Sequence, residues 1–470
     1  MRINRHRIAC IVLLLTSFTL VYGQDEYGKS QRMQWWSEAK FGMFIHWGVY
    51  SELAGVYKGY RQNKGDAAWI MNRCKIPVGE YRKYADEFNP VEYDPEGWIK
   101  MARDAGMKYI VITAKHHDGF ALFDTEASDW DIVDATPYKK DLLKPLARAC
   151  EKYGLKLGFY YSQANDWTNP GGTAARRLMN EGWPNPDSLK IDQYTLEHDG
   201  HWDPVQETAT FDEYVDSVAI PQVRELLSNY GEVAILWWDY PTQMKSYEGA
   251  LKLRRLLSLQ PQIITNDRLH PDLPGDIRTP EQTIPGQVEM QGVYWETCMT
   301  MNSSWGYKKY DYMWKSPKWL LCNLIDIVSR GGNFLLNVGP KGNGEFPEES
   351  IEILKQIGRW MKVNGEAIYG TSANPLGDLL WGTCTMKEEN GNTILYLSIF
   401  SWPPDDMVRI PGLENEIISA SLLSSGEQIE IKNKEDALIL YLPDQDPDQL
   451  VTVIKLEVKG YLKTNSDHQE

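Results

Sequence analysis

The chain has 470 residues, room for about three domains at ~150 residues each, or for one (β/α) barrel with an appended domain. Hydrophobic residues make up 42% and charged residues 24%, and no low-complexity tract is present, which excludes a disordered or fibrous chain. Asp and Glu number 65 against 49 Lys and Arg, a formal charge of -16, so nucleic acid and anionic membrane surfaces are repelled overall and are not expected as partners.

Residues 1–23 open with Arg2, Arg5 and Arg7, run through an apolar stretch from Ile8 to Val21, and reach Gly23 ahead of Gln24-Asp25-Glu26. This layout predicts a secretory signal peptide, because the apolar run falls short of the ~20 residues that a membrane span needs. The protein is therefore expected in the periplasm or outside the cell, with no membrane span once the segment is removed. Five cysteines follow: Cys74, Cys150, Cys298, Cys322 and Cys384. An odd number without a Cys-x-x-Cys pair argues against a disulfide framework and a zinc cluster. No metal or cofactor is expected.

From about residue 35 to 365, β-rich runs alternate with amphipathic stretches, the mark of βα units and a parallel sheet. Strands are predicted at Phe41 to Trp47, Tyr109 to Ala114, Leu155 to Ser162, Val233 to Trp238, Ile263 to Asn266, Val293 to Thr297 and Asn333 to Val338. No eighth can be placed. Helices are predicted at Pro95 to Ala105, Leu142 to Tyr153, Phe211 to Tyr230, Tyr247 to Leu257, Lys318 to Ser329 and Glu348 to Val363. Polar residues crowd the carboxyl ends of several strands, which favours a TIM-like (β/α) barrel, where those ends share one face, over an open sheet. After Gly370 short runs at 392–400, 407–410, 417–423, 428–431, 437–442 and 451–458 follow one another without helices, so a C-terminal antiparallel β-sandwich is expected. The expected division is a barrel domain at 24–368 and a sandwich at 369–470.

The strand ends carry the chemistry. The first gives His46 and Trp47, and the second gives Lys115-His116-His117-Asp118. Imidazoles gathered there suit hydroxyl recognition, and His116 and His117 reach one point together only if the strand ends before them. The fourth strand finishes Trp237-Trp238-Asp239, a carboxyl behind two indoles. The fifth finishes Asn266-Asp267-Arg268, and further carboxyls follow at Thr279-Pro280-Glu281 and Trp295-Glu296. With 18 Trp, 26 Tyr and 11 Phe in the chain, paired acids in an aromatic setting suggest glycoside hydrolysis, one carboxylate attacking the anomeric carbon and the other transferring a proton.

Seven separate blocks resemble one family. They are Lys40-Phe-Gly-Met-Phe-Ile-His-Trp-Gly-Val-Tyr-Ser51; Ala105-Gly-Met-Lys-Tyr-Ile-Val111 with Lys115-His-His-Asp-Gly-Phe-Ala-Leu122; Gly158-Phe-Tyr-Tyr-Ser162 with Asp166-Trp167; Leu236-Trp-Trp-Asp239; Asn266-Asp-Arg268; Trp295-Glu296 with Ser304-Trp-Gly-Tyr307; and Val328-Ser-Arg-Gly-Gly-Asn-Phe-Leu-Leu-Asn-Val-Gly-Pro340. In this order they are similar to the α-L-fucosidases of glycoside hydrolase family 29. The resemblance implies a retaining exo-enzyme whose substrate is a fucosylated oligosaccharide or glycoprotein glycan. It implies Asp239 as nucleophile and fucose contacts from His46, Trp69, His116, His117, Tyr161, Trp237 and Arg268. The acid/base is expected to be Glu281 on a mobile loop, with Glu296 as the alternative. One departure stands out: Ala68 precedes Trp69 where family members often carry Glu. It leaves open a related sugar such as an α-L-galactoside, or a fucosylated-glycan binder with little activity.

Overall fold

The computed structural model describes residues 29–179, 185–434 and 437–464. The expected export segment lies outside them. Seven parallel strands share one sheet: β1 Phe41–Ile45, β2 Tyr109–Lys115, β3 Lys156–Tyr161, β4 Ile235–Trp238, β5 Ile264–Thr265, β6 Glu296–Thr300 and β7 Asn333–Val338. Their order is β5-β4-β3-β2-β1-β7-β6. Six of the seven fall within a residue or two of their predicted positions, and β6 starts three residues later than predicted.

The gap between β5 and β6 is filled by an irregular segment, residues 276–282. It bridges in parallel to both edges, at Asn266 with Ile277 on one side and at Arg278 with Trp295 and Glu281 with Cys298 on the other. Its backbone bonds include Asp267 N–H to Ile277 O at 3.0 Å, Glu296 N–H to Arg278 O at 2.9 Å and Gln282 N–H to Cys298 O at 2.9 Å. The barrel is thereby closed, with this segment in sixth place along the chain. Pro280, which has no N–H to give a ladder, sits in a segment that contributes only scattered bridges.

Helices cover the outer face: α1 Pro95–Asp104, α2 Leu143–Tyr153, α3 Ile220–Asn229, α4 Tyr247–Arg255, α5 Pro317–Ser329 and α6 Glu348–Asn364. Local chemistry sets their ends. Asp94 caps α1 by accepting from Gly97 N–H, with Pro95 in the first turn, and α2 stops at Gly154 in the left-handed region. The single helix expected over Phe211 to Tyr230 is interrupted by a π turn at Val215–Ala219. Pro221 has no N–H to return to the preceding turn and its ring crowds it, so the chain widens just before α3. A helix at Ser188–Glu197 was not expected, and its weak amphipathicity explains why.

Strand alternation divides the apolar residues into two layers. Phe44, Tyr109, Tyr160 and Trp237 point into the barrel, while Ile45, Ile110, Tyr161 and Trp238 pack outward with the helices. A helix at residues 29–39 brings Met33 and Trp36 into the interior cluster and so seals the barrel floor. Asn333 Nδ2 donates to Trp36 O at 2.7 Å and pins this plug.

The C-terminal part is a two-sheet antiparallel sandwich. Its strands are β8 Gly382–Glu389, β9 Asn392–Ile399, β10 Met407–Pro411, β11 Ile417–Leu422, β12 Glu430–Asn433, β13 Ala437–Tyr441 and β14 Thr452–Lys459. They pair as β8-β9-β14-β11 and β10-β13-β12 around a core of their own. The outer face of the larger sheet is not solvent: Ile394, Tyr396, Val451 and Val453 join the barrel's helical core, and Trp360 Nε1 donates to Val451 O at 2.7 Å.

Candidate active site

The carboxyl ends of the barrel strands enclose a cavity of about 590 Å³. Its wall includes His46, His116, His117, Trp237, Asp239 and Arg268. That volume lies within the ~300–1,000 Å³ usual for small-molecule sites.

Strand β2 ends at Lys115, so the next two residues leave the alternating pattern and both imidazoles enter the cavity. The turn that follows depends on Gly119, whose φ is 74° and whose Cβ, if present, would run into Asp166. Beneath it lies a sealed ion pair, Lys115 Nζ to Asp166 Oδ2 at 2.9 Å with both side chains fully buried. Removing one partner of such a pair costs about 3–5 kcal/mol, so this part of the block is a support and not a ligand. Asp118 faces away from the cavity and accepts from Tyr81 OH at 2.7 Å.

Burial holds all three imidazoles neutral. His46 is pushed down to about 4 by burial, which outweighs its bond to Asn337 and the charge of Asp239. His116 and His117 are driven well below the ordinary range by burial and by neighbouring positive charge. Asn337 donates through Nδ2 to Trp305 O at 2.8 Å, so its Oδ1 is the atom at 2.7 Å that receives the His46 Nδ1 proton. Ser162 gives its hydroxyl proton to Asn165 O at 2.8 Å and therefore accepts from His117 Nδ1 at 2.6 Å. In both rings Nε2 is left as an acceptor, the form that takes a proton from a sugar hydroxyl.

Asp239 follows β4 and is 14% exposed. Its Oδ1 accepts from Arg268 Nη1 at 2.9 Å and from Tyr240 N–H at 2.8 Å, and its Oδ2 from Tyr160 OH at 2.8 Å. The Tyr240 bond requires a backbone turned back on itself, and Tyr240 has φ 59°, a strained value for a bulky residue. His117 Nε2 stands 3.5 Å from Oδ2. Arg268 is fixed on its other edge by Thr279, Nε to Oγ1 at 2.9 Å and Nη2 to the carbonyl at 2.7 Å. Burial opposes its charge, but Asp239, Cys298 and Glu281 outweigh this and leave the guanidinium more basic than a free one.

Arg268 Nη1 also donates to Glu281 Oε2 at 3.0 Å. Glu281 is 43% exposed at the cavity rim. Its segment, expected as a mobile loop, is tied to β6 by the barrel bonds described above, and Gln282 beyond it is again left-handed at φ 56°. Glu296 is elsewhere. As the first residue of β6 it lies at the barrel floor, fully buried and bonded by Tyr109 OH, and it does not line the cavity. Burial raises its carboxyl to about 7.

Trp69 also lines the cavity, with its ring 5.1 Å from His117. Tyr161 does not. It points to the outer layer and donates to Gln222 Oε1 at 2.8 Å, and the tyrosine in the cavity is Tyr160. Neighbours in a strand face opposite ways, so a one-residue error exchanges the layers. Further cavity residues went unassigned from sequence: Phe44, Asp66, Trp305, and the pair Arg73 and Arg177. Phe44 was recoverable from alternation with His46, and Trp305 from the block containing it. Ala68 is buried in the apolar core, and the carboxyl at that corner belongs to Asp66. Asp66 Oδ1 accepts from Ser304 Oγ at 2.8 Å and Trp305 N–H at 2.9 Å, which fixes the Trp305 loop. Among the described residues, no group of three or more His, Cys, Asp or Glu is placed to hold a metal ion.

Residues 19–366 match the family described as Alpha-L-fucosidase. The chain is 27% identical to an α-L-fucosidase of Dictyostelium discoideum over 90% of this chain and 92% of the relative, and 28% identical to human plasma α-L-fucosidase over 87% and 85%. Among solved structures it resembles α-L-fucosidase isoenzyme 1 from Paenibacillus thiaminolyticus, 35% identical with a TM-score of 0.78 over 92% of this chain and 100% of the other. Another is a family 29 α-L-fucosidase from Bacteroides thetaiotaomicron, trapped as a covalent intermediate with 2-fluoro-fucosyl fluoride, 27% identical with a TM-score of 0.77 over 92% and 96%. The chain belongs to the α-L-fucosidases of glycoside hydrolase family 29, and is a glycoside hydrolase.

Proposed function

We propose that this protein removes terminal α-L-fucose from oligosaccharides or glycoprotein glycans with retention at C1, using Asp239 as nucleophile and Glu281 as acid/base. The observation that carries the reading is the shared nitrogen of Arg268. Two bonds of 2.9 and 3.0 Å to one atom hold the nearest carboxylate oxygens no more than about 6 Å apart. Retaining pairs stand ~5–5.5 Å apart, whereas inverting pairs need ~6.5–9.5 Å to admit a water between them. The covalent intermediate of the Bacteroides relative supports the same choice.

Asp239 Oδ1 is engaged by two donors and Oδ2 by one, so Oδ2 keeps the freer lone pair and is the attacking atom. It bonds to C1 while the glycosidic C–O bond breaks, the electron pair leaving on oxygen, which takes a proton from Glu281. Water then attacks C1, passes its proton to Glu281, and the Asp239–C1 bond breaks. The neutral imidazoles and Arg268 grip hydroxyls, and Phe44, Trp237 and Trp305 supply apolar wall for the C6 methyl side of the sugar. Glu296 has no part in proton transfer, being sealed beneath the cavity. We also place the protein outside the cytoplasm, on the basic and apolar pattern of residues 1–23. Among the described residues no helix is long and apolar enough to cross a membrane.

Azide separates the roles. With 4-nitrophenyl α-L-fucoside, Asp239→Ala should lose at least about 10³-fold in rate and regain turnover in azide, yielding the β-azide. Glu281→Ala should yield the α-azide, because azide then intercepts the enzyme-bound sugar. An α-azide from Glu296→Ala, and none from the Glu281 variant, would move the acid/base to Glu296.

A further inference from the structure

Two arginines line the cavity to which the proposed reaction gives no role, Arg73 and Arg177. Arg177 lies over the ring of Trp69 at 4.5 Å, and Trp69 in turn contacts His117, so one aromatic ring lies between Arg177 and the imidazoles. Its Nη2 donates to Tyr240 OH at 2.9 Å, which fixes its direction. Arg73 lines the same wall. The Nε of each arginine is buried without a hydrogen-bond partner.

Two guanidinium groups held together with no carboxylate in contact are a cost that the fold sustains. Among the described residues neither has a carboxylate within 4.0 Å, although the chain carries an acidic excess of 16. Asp239 and Glu281 are already matched by Arg268. The charge of Asp66 acts on Arg73, but its bonds go to Ala68, Ser304, Trp305 and Gly306 and it reaches Arg73 only through its field. Burial, and then the charge of Arg177, weaken the hold of Arg73 on its proton. An anion entering between the two would offset the mutual repulsion of the guanidinium groups.

We propose that Arg73 and Arg177 form a subsite for an anionic group, a sulfate ester or a carboxylate, on the sugar to which fucose is attached. The substrate class is then acidic fucosylated glycans. This inference rests on the fucosidase reading above, because it takes Asp239 to mark where the fucose ends and the leaving group begins.

The test uses three aryl fucosides: 4-nitrophenyl α-L-fucoside, and the same compound carrying a carboxylate or a sulfonate beside the glycosidic oxygen. The quantity read is the ratio of kcat/KM for the charged to the neutral compound, in the wild type and in the Arg73→Gln/Arg177→Gln double variant. Comparing the ratios cancels both the leaving-group chemistry and any general effect on the fold. The ratio should fall at least about 10-fold in the double variant, mainly through KM, for one or both anions, and the anion with the larger fall identifies the group. If the double variant does not fold, Arg73→Gln alone should lower the ratio about 3-fold. An unchanged ratio for both anions overturns the subsite while leaving the fucosidase intact. Failure of the wild type to hydrolyse even the neutral compound overturns the underlying reading instead.

Discussion

Tyr160 and Tyr161 share a backbone but not a function, because one faces the barrel interior and the other the helices. Tyr160 donates its hydroxyl proton to Asp239, the proposed nucleophile, at 2.8 Å. A hydrogen bond to a charged group is worth about 1.5–3 kcal/mol, so Tyr160→Phe should lower kcat/KM by roughly 10- to 150-fold with little change in melting temperature. Tyr161 donates to Gln222 in the outer layer, away from Asp239. Tyr161→Phe should therefore leave kcat/KM within about 3-fold while costing about 1 kcal/mol of stability. Steady-state kinetics and thermal melts of the two variants check this, and a reversed pattern would place the wrong tyrosine in the site.

The irregular segment at 276–282 closes the barrel and delivers Thr279 and Glu281 to the site together. Thr279 Oγ1 accepts from Arg268 Nε at 2.9 Å and donates to Asp267 Oδ1 at 3.0 Å, so one hydroxyl aligns the guanidinium that both carboxylates share. Thr279→Val keeps the shape and removes both bonds. It should lower kcat/KM about 10-fold or more, whereas Thr279→Ser should stay within about 3-fold of wild type. Equal losses in the two would show that the methyl group, and not the hydroxyl, matters. The same segment shows where sequence stops being legible. Most of the regular strands, β1, β2, β4 and β7 among them, are buried on both faces and read as largely apolar runs. The closing segment, with Pro280 and alternate charges, has no period to detect. Strand β8 lies outside the predicted runs, yet Asn390-Gly391, both at positive φ between paired Glu389 and Asn392, is the residue pair that a two-residue hairpin demands. Among the site residues, those at strand ends were legible because the strands were. Asp66, Arg73 and Arg177 come from connections whose path no periodicity sets.

At the scale of the whole molecule, the barrel floor ties stability to pH. Glu296 sits among Tyr109, Trp237 and Trp36 of the floor plug, and burial raises its carboxyl from the ordinary 4.5 to about 7. An acid raised in this way favours folding while it is protonated in both states. Its contribution is complete below about 4.5 and is lost as pH climbs through about 7, because the unfolded chain then holds the charge in water. The full span corresponds to about 3 kcal/mol. His46 works in the opposite direction: depressed to about 4, it contributes above its ordinary 6.5 and loses that contribution as pH falls towards 4. The two slopes mask one another in the wild type alone. Glu296→Gln removes the first and keeps the second, so the difference in stability between wild type and variant isolates the floor. That difference should move in favour of the variant by about 2–3 kcal/mol between pH 5 and pH 8, read as unfolding free energies from denaturant titrations at each pH. A difference that stays constant across this range would mean that Glu296 is ionised in the folded protein throughout, as it is in the unfolded chain, and that the floor does not set the pH dependence of the fold.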